Sequence, residues 1–161
     1  MFIIKRISKS SIATMLIIAF MFLLLVLRLV SVSKSTTAYC EAVGKYSTVV
    51  EGEFSVEDFL KQFDIEIDKA TEQAVKIMIP SEFNQVYENY NALQQSQGLD
   101  LSDYKGKEAI RYTYNVTNST SNDDVRCNVI VCENKVIAGD LCTTALEGAM
   151  TSLVDNTLKQ G

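Results

Sequence analysis

The segment from Val125 to Leu141 reads VRCNVIVCENKVIAGDL, and its pattern predicts the centre of the fold. Residues rich in valine and isoleucine stand on both sides of Glu133-Asn134, a pair that is typical of a tight hairpin turn. The segment therefore predicts two antiparallel strands, Val125 to Cys132 and Lys135 to Leu141.

Three more strands are predicted on the N-terminal side of this hairpin. Between Ala109 and Val116, isoleucine, tyrosine and valine alternate with arginine, threonine and asparagine, as in a strand buried on one face. Shorter alternations predict strands at Ile65–Asp68 and Val75–Ile79, separated by a turn at Lys69–Glu72. Together these segments predict an antiparallel sheet of about five strands.

Three helices are predicted beside the sheet. Each begins at a serine or threonine that can cap a helix, and each has apolar residues three and four positions apart. Their predicted limits are Ser55 to Phe63, Ser81 to Gly98 and Thr144 to Leu153. The predicted fold class is therefore α+β, an antiparallel sheet of about five strands covered on one face and packed with two or three helices.

An uncharged apolar run from Ile12 to Leu27 precedes this domain. Continued to Val32, it predicts a transmembrane helix about 31 Å long, enough to cross a hydrocarbon core of roughly 30 Å. The basic residues Lys5, Arg6 and Lys9 stand directly before it, which favours a cytoplasmic N-terminus and a domain outside the cell membrane.

These features divide the chain into three parts. Residues 1–33 are predicted to be a cytoplasmic tip and a single-pass transmembrane helix, residues 34–53 a tether and arm, and residues 54–158 an extracytoplasmic α+β domain. A basic segment followed by an apolar one also describes a signal peptide. The alternative is therefore a secreted form that is released by cleavage near Ala38.

Charge and composition exclude several functions. From Lys34 onward the chain has 11 basic and 20 acidic residues, a net charge of −9, and it lacks the basic patch that nucleic acid requires. The absence of histidine removes Ser-His-Asp and Cys-His catalysis and the commonest metal ligands. No catalytic, cofactor or metal residue is predicted, although an enzyme that uses carboxylates or a cysteine stays open.

Two small groups of residues each allow two readings. The sequence resembles the start of a calcium-binding loop at Asp64, Glu66 and Asp68. The glycine and the final glutamate of such a loop are absent, so we favour the solvent-exposed face of a strand for these residues. Pairing Cys132 with Lys135 makes Cys127 and Cys142 diagonal neighbours on one face of the hairpin. A Cys127–Cys142 disulfide is therefore a hypothesis, with buried thiols as the equal alternative.

Four blocks of the chain form a recognisable set: IPSEFNQVYENYN from Ile79, QGLDL from Gln97, RYTY from Arg111 and VIAGD from Val136. With these blocks the chain resembles a family of small, uncharacterised, membrane-anchored proteins of clostridial Gram-positive bacteria, a domain of unknown function. The resemblance covers roughly Phe54 to Met150. It implies a location and a domain outline, and it assigns no catalytic residue.

The sequence as a whole predicts a membrane-anchored, extracytoplasmic and non-catalytic binding or interaction module of a bacterial envelope. Residues 12–32 would contact the membrane. The partner of the domain would be an envelope protein, a peptide or a small ligand. No cofactor and no nucleic acid are expected.

Overall fold

The computed structural model describes residues 14–24, 36–51, 54–119, 124–144, 148 and 150–155. The chain forms two compact units, residues 1–35 and residues 36–161. Within the first unit residues 14–24 are helical. The second unit contains an α+β fold with a five-stranded antiparallel sheet, as the sequence predicts.

The predicted transmembrane helix over residues 12–32 is wrong. Residues 14–24, the part of this segment that the structure describes, are helical. Residues 12–13 and 25–32 lie outside the described residues. Among the residues that are described, no helix combines the length and the apolar character needed to cross a membrane.

A hairpin opens the second unit, within the segment predicted to be a tether and arm. Strand β1, Thr37–Cys40, pairs antiparallel with β2, Gly44–Ser47. Cys40 and Tyr46 are buried in the domain core, so the compact fold begins before residue 54. Ala38, the site of the predicted cleavage, lies within β1 opposite Tyr46.

The main sheet has strands in the order of the sequence. They are β3 (Ile67–Met78), β4 (Glu108–Val116), β5 (Val125–Cys132), β6 (Lys135–Thr143) and β7 (Met150–Ser152). The predicted hairpin turn is confirmed, since Glu133 and Asn134 both take positive φ angles, 52° and 60°, as a tight two-residue turn requires.

Strand β3 replaces the two short strands that the sequence predicts. The turn expected at Lys69–Glu72 is instead an irregularity between Asp68 and Gln73, where the pairing of β3 with β4 changes register. The Thr71 hydroxyl donates to the Asp68 carbonyl at 2.6 Å and accepts from the Asn115 amide at 2.9 Å. These bonds substitute for the missing ladder contacts, so the strand continues.

The first predicted helix is confirmed and the second begins later than expected. Helix α1, Val56–Lys61, has the full capping box of Ser55 and Asp58, and backbone and side-chain hydrogen bonds from Ser55 hold the pKa of Asp58 at about 2. Helix α2, Gln85–Ser96, is capped by Asn84, whose side chain accepts from the Tyr87 amide at 3.0 Å. The predicted cap Ser81 precedes the helix in a bend.

The third predicted helix, Thr144 to Leu153, is wrong over its described part. Residues 150–152 form β7, which pairs with β6 along the sheet edge and so satisfies backbone groups by ladder bonds. Residues 145–147 and 149, and residues 156–158 of the predicted domain, lie outside the described residues.

Elements cover both faces of the sheet, and not one face as predicted. On the first face α1 and the β1–β2 hairpin pack on a cluster that includes Phe59, Leu60, Val129 and Leu141. On the second face a smaller cluster forms around Ile79, Leu101, Tyr104, Ile130 and Ile137. Helix α2 lies on this second side and leaves part of the face uncovered.

The proposed Cys127–Cys142 bridge is absent from the described fold, where both residues are thiols. The physical reason is a bulge in β5–β6 between Ile130 and Val131, which shifts the pairing by one residue. Cys127 therefore pairs with Leu141, while Cys142 pairs with Arg126. Because successive residues of a strand point to opposite faces, the two sulfur atoms lie on opposite sides of the sheet.

Candidate functional site

A groove of about 630 Å³ lies between α2 and the second face of the sheet, and we call it the α2 groove. Pockets of this volume hold small organic molecules in other proteins. Strands β3 to β6 form its floor and α2 forms one wall, with Met150 of β7 at the rim. Its lining residues are Ile77, Ile79, Val86, Tyr87, Asn89, Tyr90, Leu93, Arg111, Asn128, Ile130, Asp140 and Met150.

A buried carboxylate sits in the floor of the α2 groove. Asp140 is 2% exposed, and its two oxygens accept hydrogen bonds from the Tyr90 hydroxyl and the Asn128 amide, each at 2.8 Å. The side-chain oxygen Oδ1 of Asn128 accepts a hydrogen bond from the Thr113 hydroxyl at 2.8 Å. Four side chains from α2, β4, β5 and β6 thus form one polar network beneath apolar walls.

Burial raises the pKa of Asp140 above its ordinary value of 3.8. The hydrogen bonds from Asn128 and Tyr90 and the nearby charge of Arg111 act in the opposite direction. Burial also raises the pKa of Tyr90, with the Asp140 charge adding to the effect. Desolvation therefore opposes the ionisation of both groups, whereas the two hydrogen bonds to Asp140 favour its carboxylate form.

The raised pKa of Asp140 predicts a pH-dependent contribution to stability, which the substitution D140N should remove. With its pKa raised on folding, Asp140 binds a proton more tightly in the folded chain, so its contribution falls as the pH rises through the folded pKa. As the pH rises from the ordinary value of 3.8 through the raised pKa of the folded chain, wild type should lose unfolding free energy relative to D140N. Urea unfolding of both proteins across that range measures the difference, and a constant difference would contradict the assignment.

Two other clefts contain the acidic residues of the α1 region. One is lined by Glu51, Glu57 and Glu72 together with Lys69, and the other by Glu57, Asp64 and Glu66. Hydrogen bonds from Lys69 and Lys61 lower the pKa of Glu57, and Glu72 accepts from the Tyr114 hydroxyl at 2.7 Å.

Glu57 and Glu72 in these clefts have structural partners. Lys69 and Lys61 both form salt bridges with Glu57. Asp64 and Glu66 are exposed, beside the cleft that they line. In the described part of the chain, no three acidic or cysteine side chains converge as a metal site would need.

A family profile described as Domain of unknown function (DUF4830) matches residues 59–141. The match covers 83 of the 161 residues. The chain belongs to this family. No curated protein and no solved structure matches the chain.

The DUF4830 match confirms the predicted membership of a family without an assigned function. It extends from α1 into β6 and therefore includes every residue that lines the α2 groove except Met150. The groove is thus a feature of the part of the chain that defines the family.

The sequence did not single out the residues that line this groove. Tyr87 and Tyr90 belong to the predicted helix from Ser81 to Gly98, yet both line the groove, and Tyr90 donates to Asp140. Arg111, Asn128 and Asp140 lie in predicted strands. The sequence does place a polar residue on each of three adjacent strands. Whether these side chains meet depends on the strand register, which the bulge sets.

Cys142 lies beside the groove network without an activated sulfur atom. Burial raises the pKa of its thiol, and the Asp140 charge adds to that effect. The Asn128 amide donates to its Sγ at 3.5 Å. A thiol with a raised pKa is a poor nucleophile near neutral pH, so its position offers no support for cysteine catalysis.

Proposed function

We propose that this DUF4830 domain is a non-catalytic binding domain that takes a small, largely apolar molecule into the α2 groove. The observation that carries the proposal is the groove itself, with a volume of about 630 Å³, apolar walls and a few convergent polar groups on its floor. That combination is characteristic of small-molecule sites.

The rim of the groove supports a ligand-binding role. Val86 is 72% exposed and Met150 is 53% exposed, and both line the opening. Exposed apolar side chains around a concavity are typical of surfaces that bind a partner or a ligand. A bound apolar molecule would cover them and gain about 25 cal/mol for each Å² of apolar surface removed from water.

The chemistry of the floor favours binding over catalysis. Asp140 is held by two donors and is almost fully buried, so it is poorly placed to exchange a proton with a substrate. The thiol of Cys142 has a raised pKa. An envelope protein or a peptide is the alternative partner, and a folded protein would need a surface wider than this groove.

The location of the domain and the source of the chain stay predictions. The placement outside the cytoplasm follows from the charge distribution around the apolar run, and the clostridial origin follows from the resemblance. The binding proposal depends on neither, because it is argued from the geometry of the groove.

The neutral fluorescent dye 1-aminoanthracene tests the proposal with the full chain. We expect the dye to bind wild type. It should bind V86W at least about tenfold more weakly, because the indole would fill the groove mouth. A92W is the matched control, since Ala92 is an exposed apolar residue of α2 outside the groove lining. Equal binding by all three proteins would contradict the proposal and would place the dye elsewhere.

A further inference from the structure

Among the residues that the structure describes, Arg111 is the one cationic residue that lines the α2 groove. It lies on β4 opposite Ile130 of β5, and its side chain is exposed. Among the described residues its guanidinium group makes no salt bridge and donates no hydrogen bond within the fold. Five N–H donors with a fixed planar geometry are therefore available at the floor of an apolar groove.

Asp140, the acidic residue among the described lining residues, forms no salt bridge with this cation, although the charge of Arg111 acts to lower the pKa of Asp140. Both oxygens of Asp140 are already hydrogen-bonded to Tyr90 and Asn128. Asp140 is also 2% exposed, whereas Arg111 is exposed and lines the groove. The guanidinium group is therefore the more accessible of the two groups to a molecule that enters.

We propose that the ligand of the α2 groove is an amphipathic acid, a small molecule with an apolar body and one carboxylate that pairs with Arg111. This inference rests on the proposed function, because it specifies the chemistry of the molecule that the groove binds. Guanidinium and carboxylate groups match in a planar arrangement with two parallel hydrogen bonds.

The walls of the groove specify the rest of the ligand. The groove that Arg111 lines also has three large aliphatic side chains in its lining: Ile77 of β3, Ile79 directly after β3, and Leu93 of α2. A carboxylate on the guanidinium would leave its apolar body against these side chains. A cationic ligand would meet the charge of Arg111 first, and a neutral one would leave that charge without a partner.

Three probes with the same apolar chain and different head groups test the inference. Decanoate, 1-decanol and decylamine are titrated into the full chain by calorimetry, the two charged probes below their critical micelle concentrations and decanol below its solubility limit. We expect decanoate to bind about tenfold more tightly than decanol, because a hydrogen bond to a charged group is stronger than one between neutral groups, and decylamine to bind most weakly.

The variant R111Q should reduce the affinity for decanoate to about that for decanol, so that the preference for decanoate is lost. R126Q is the matched control, because it removes the same charge from the neighbouring strand β5 at a residue outside the groove lining. It should keep the preference for decanoate. The control also accounts for any attraction of decanoate to basic residues elsewhere in the chain.

The possible results separate the two proposals. Equal binding of the three probes to wild type, with weaker binding to V86W, would overturn the acid preference and retain the small-molecule site. A decanoate preference that survives in R111Q would overturn the role of Arg111. Failure of every probe and of 1-aminoanthracene to bind would overturn the proposed function, and the inference with it.

Discussion

Replacement of Gly98 by alanine is expected to lower the free energy of unfolding by more than about 3 kcal/mol. Gly98 follows α2 with a φ of +84°, and a Cβ atom there would lie 2.3 Å from the carbonyl oxygen of Tyr39. An L-residue in this backbone conformation already costs about 1–2 kcal/mol. The clash adds to that cost because its partner is backbone and cannot rotate away.

Gly44 provides the matched control for Gly98. Its φ is +82°, but an added Cβ would meet nothing within 4 Å. G44A should therefore cost only the conformational penalty of about 1–2 kcal/mol. Urea unfolding followed by circular dichroism measures both variants. Equal losses would show that the contact between β1 and the end of α2 does not constrain Gly98.

Replacement of Gln97 by alanine is expected to cost about 3–5 kcal/mol. Gln97 is fully buried, and its side chain joins α2 to the sheet. Its Nε2 donates to the Gly139 carbonyl at 2.6 Å, and its Oε1 accepts from the Leu153 amide at 2.9 Å. Alanine would leave both backbone groups buried without a partner, and each such loss costs about 1–3 kcal/mol.

The neighbouring Gln95 separates this effect from the loss of any glutamine. Gln95 is exposed, and its Nε2 donates to Asp100 at 3.0 Å. Q95A should cost less than about 1 kcal/mol, because water replaces an exposed hydrogen bond. If Q97A were as stable as Q95A in chemical denaturation, the bridge from α2 to β6 and β7 would not hold the helix in place.

The sequence predicted the elements whose signals are local. The capping box of Ser55 and Asp58, the turn at Glu133–Asn134 and the alternation of Ala109–Val116 each need only a few neighbouring residues, and each was confirmed. The errors came where distant contacts decide. Residues 67–78 form one strand because β4 pairs with residues on both sides of the irregularity. Residues 150–152 form a strand because they pair with the edge of β6.

One bulge explains why the site could not be predicted. Next to the turn, Cys132 pairs with Lys135. If that register continued along the strands without the shift between Ile130 and Val131, Asn128 would pair with Gly139. With the shift, Asn128 pairs with Asp140, and the two side chains bond in the groove floor. The same shift moves Cys142 to the face opposite Cys127. No residue pattern in the sequence specifies where an extra residue enters a strand.

The most direct test of the binding site is an NMR titration of the ¹⁵N-labelled full chain with 1-aminoanthracene. The neutral dye tests the groove independently of the charge of Arg111. We predict chemical-shift changes that concentrate at the amides of Asn89, Arg111 and Asn128, which surround the groove. Changes confined to residues 14–24, or spread over the β1–β2 hairpin and α1, would contradict a binding site between α2 and the sheet.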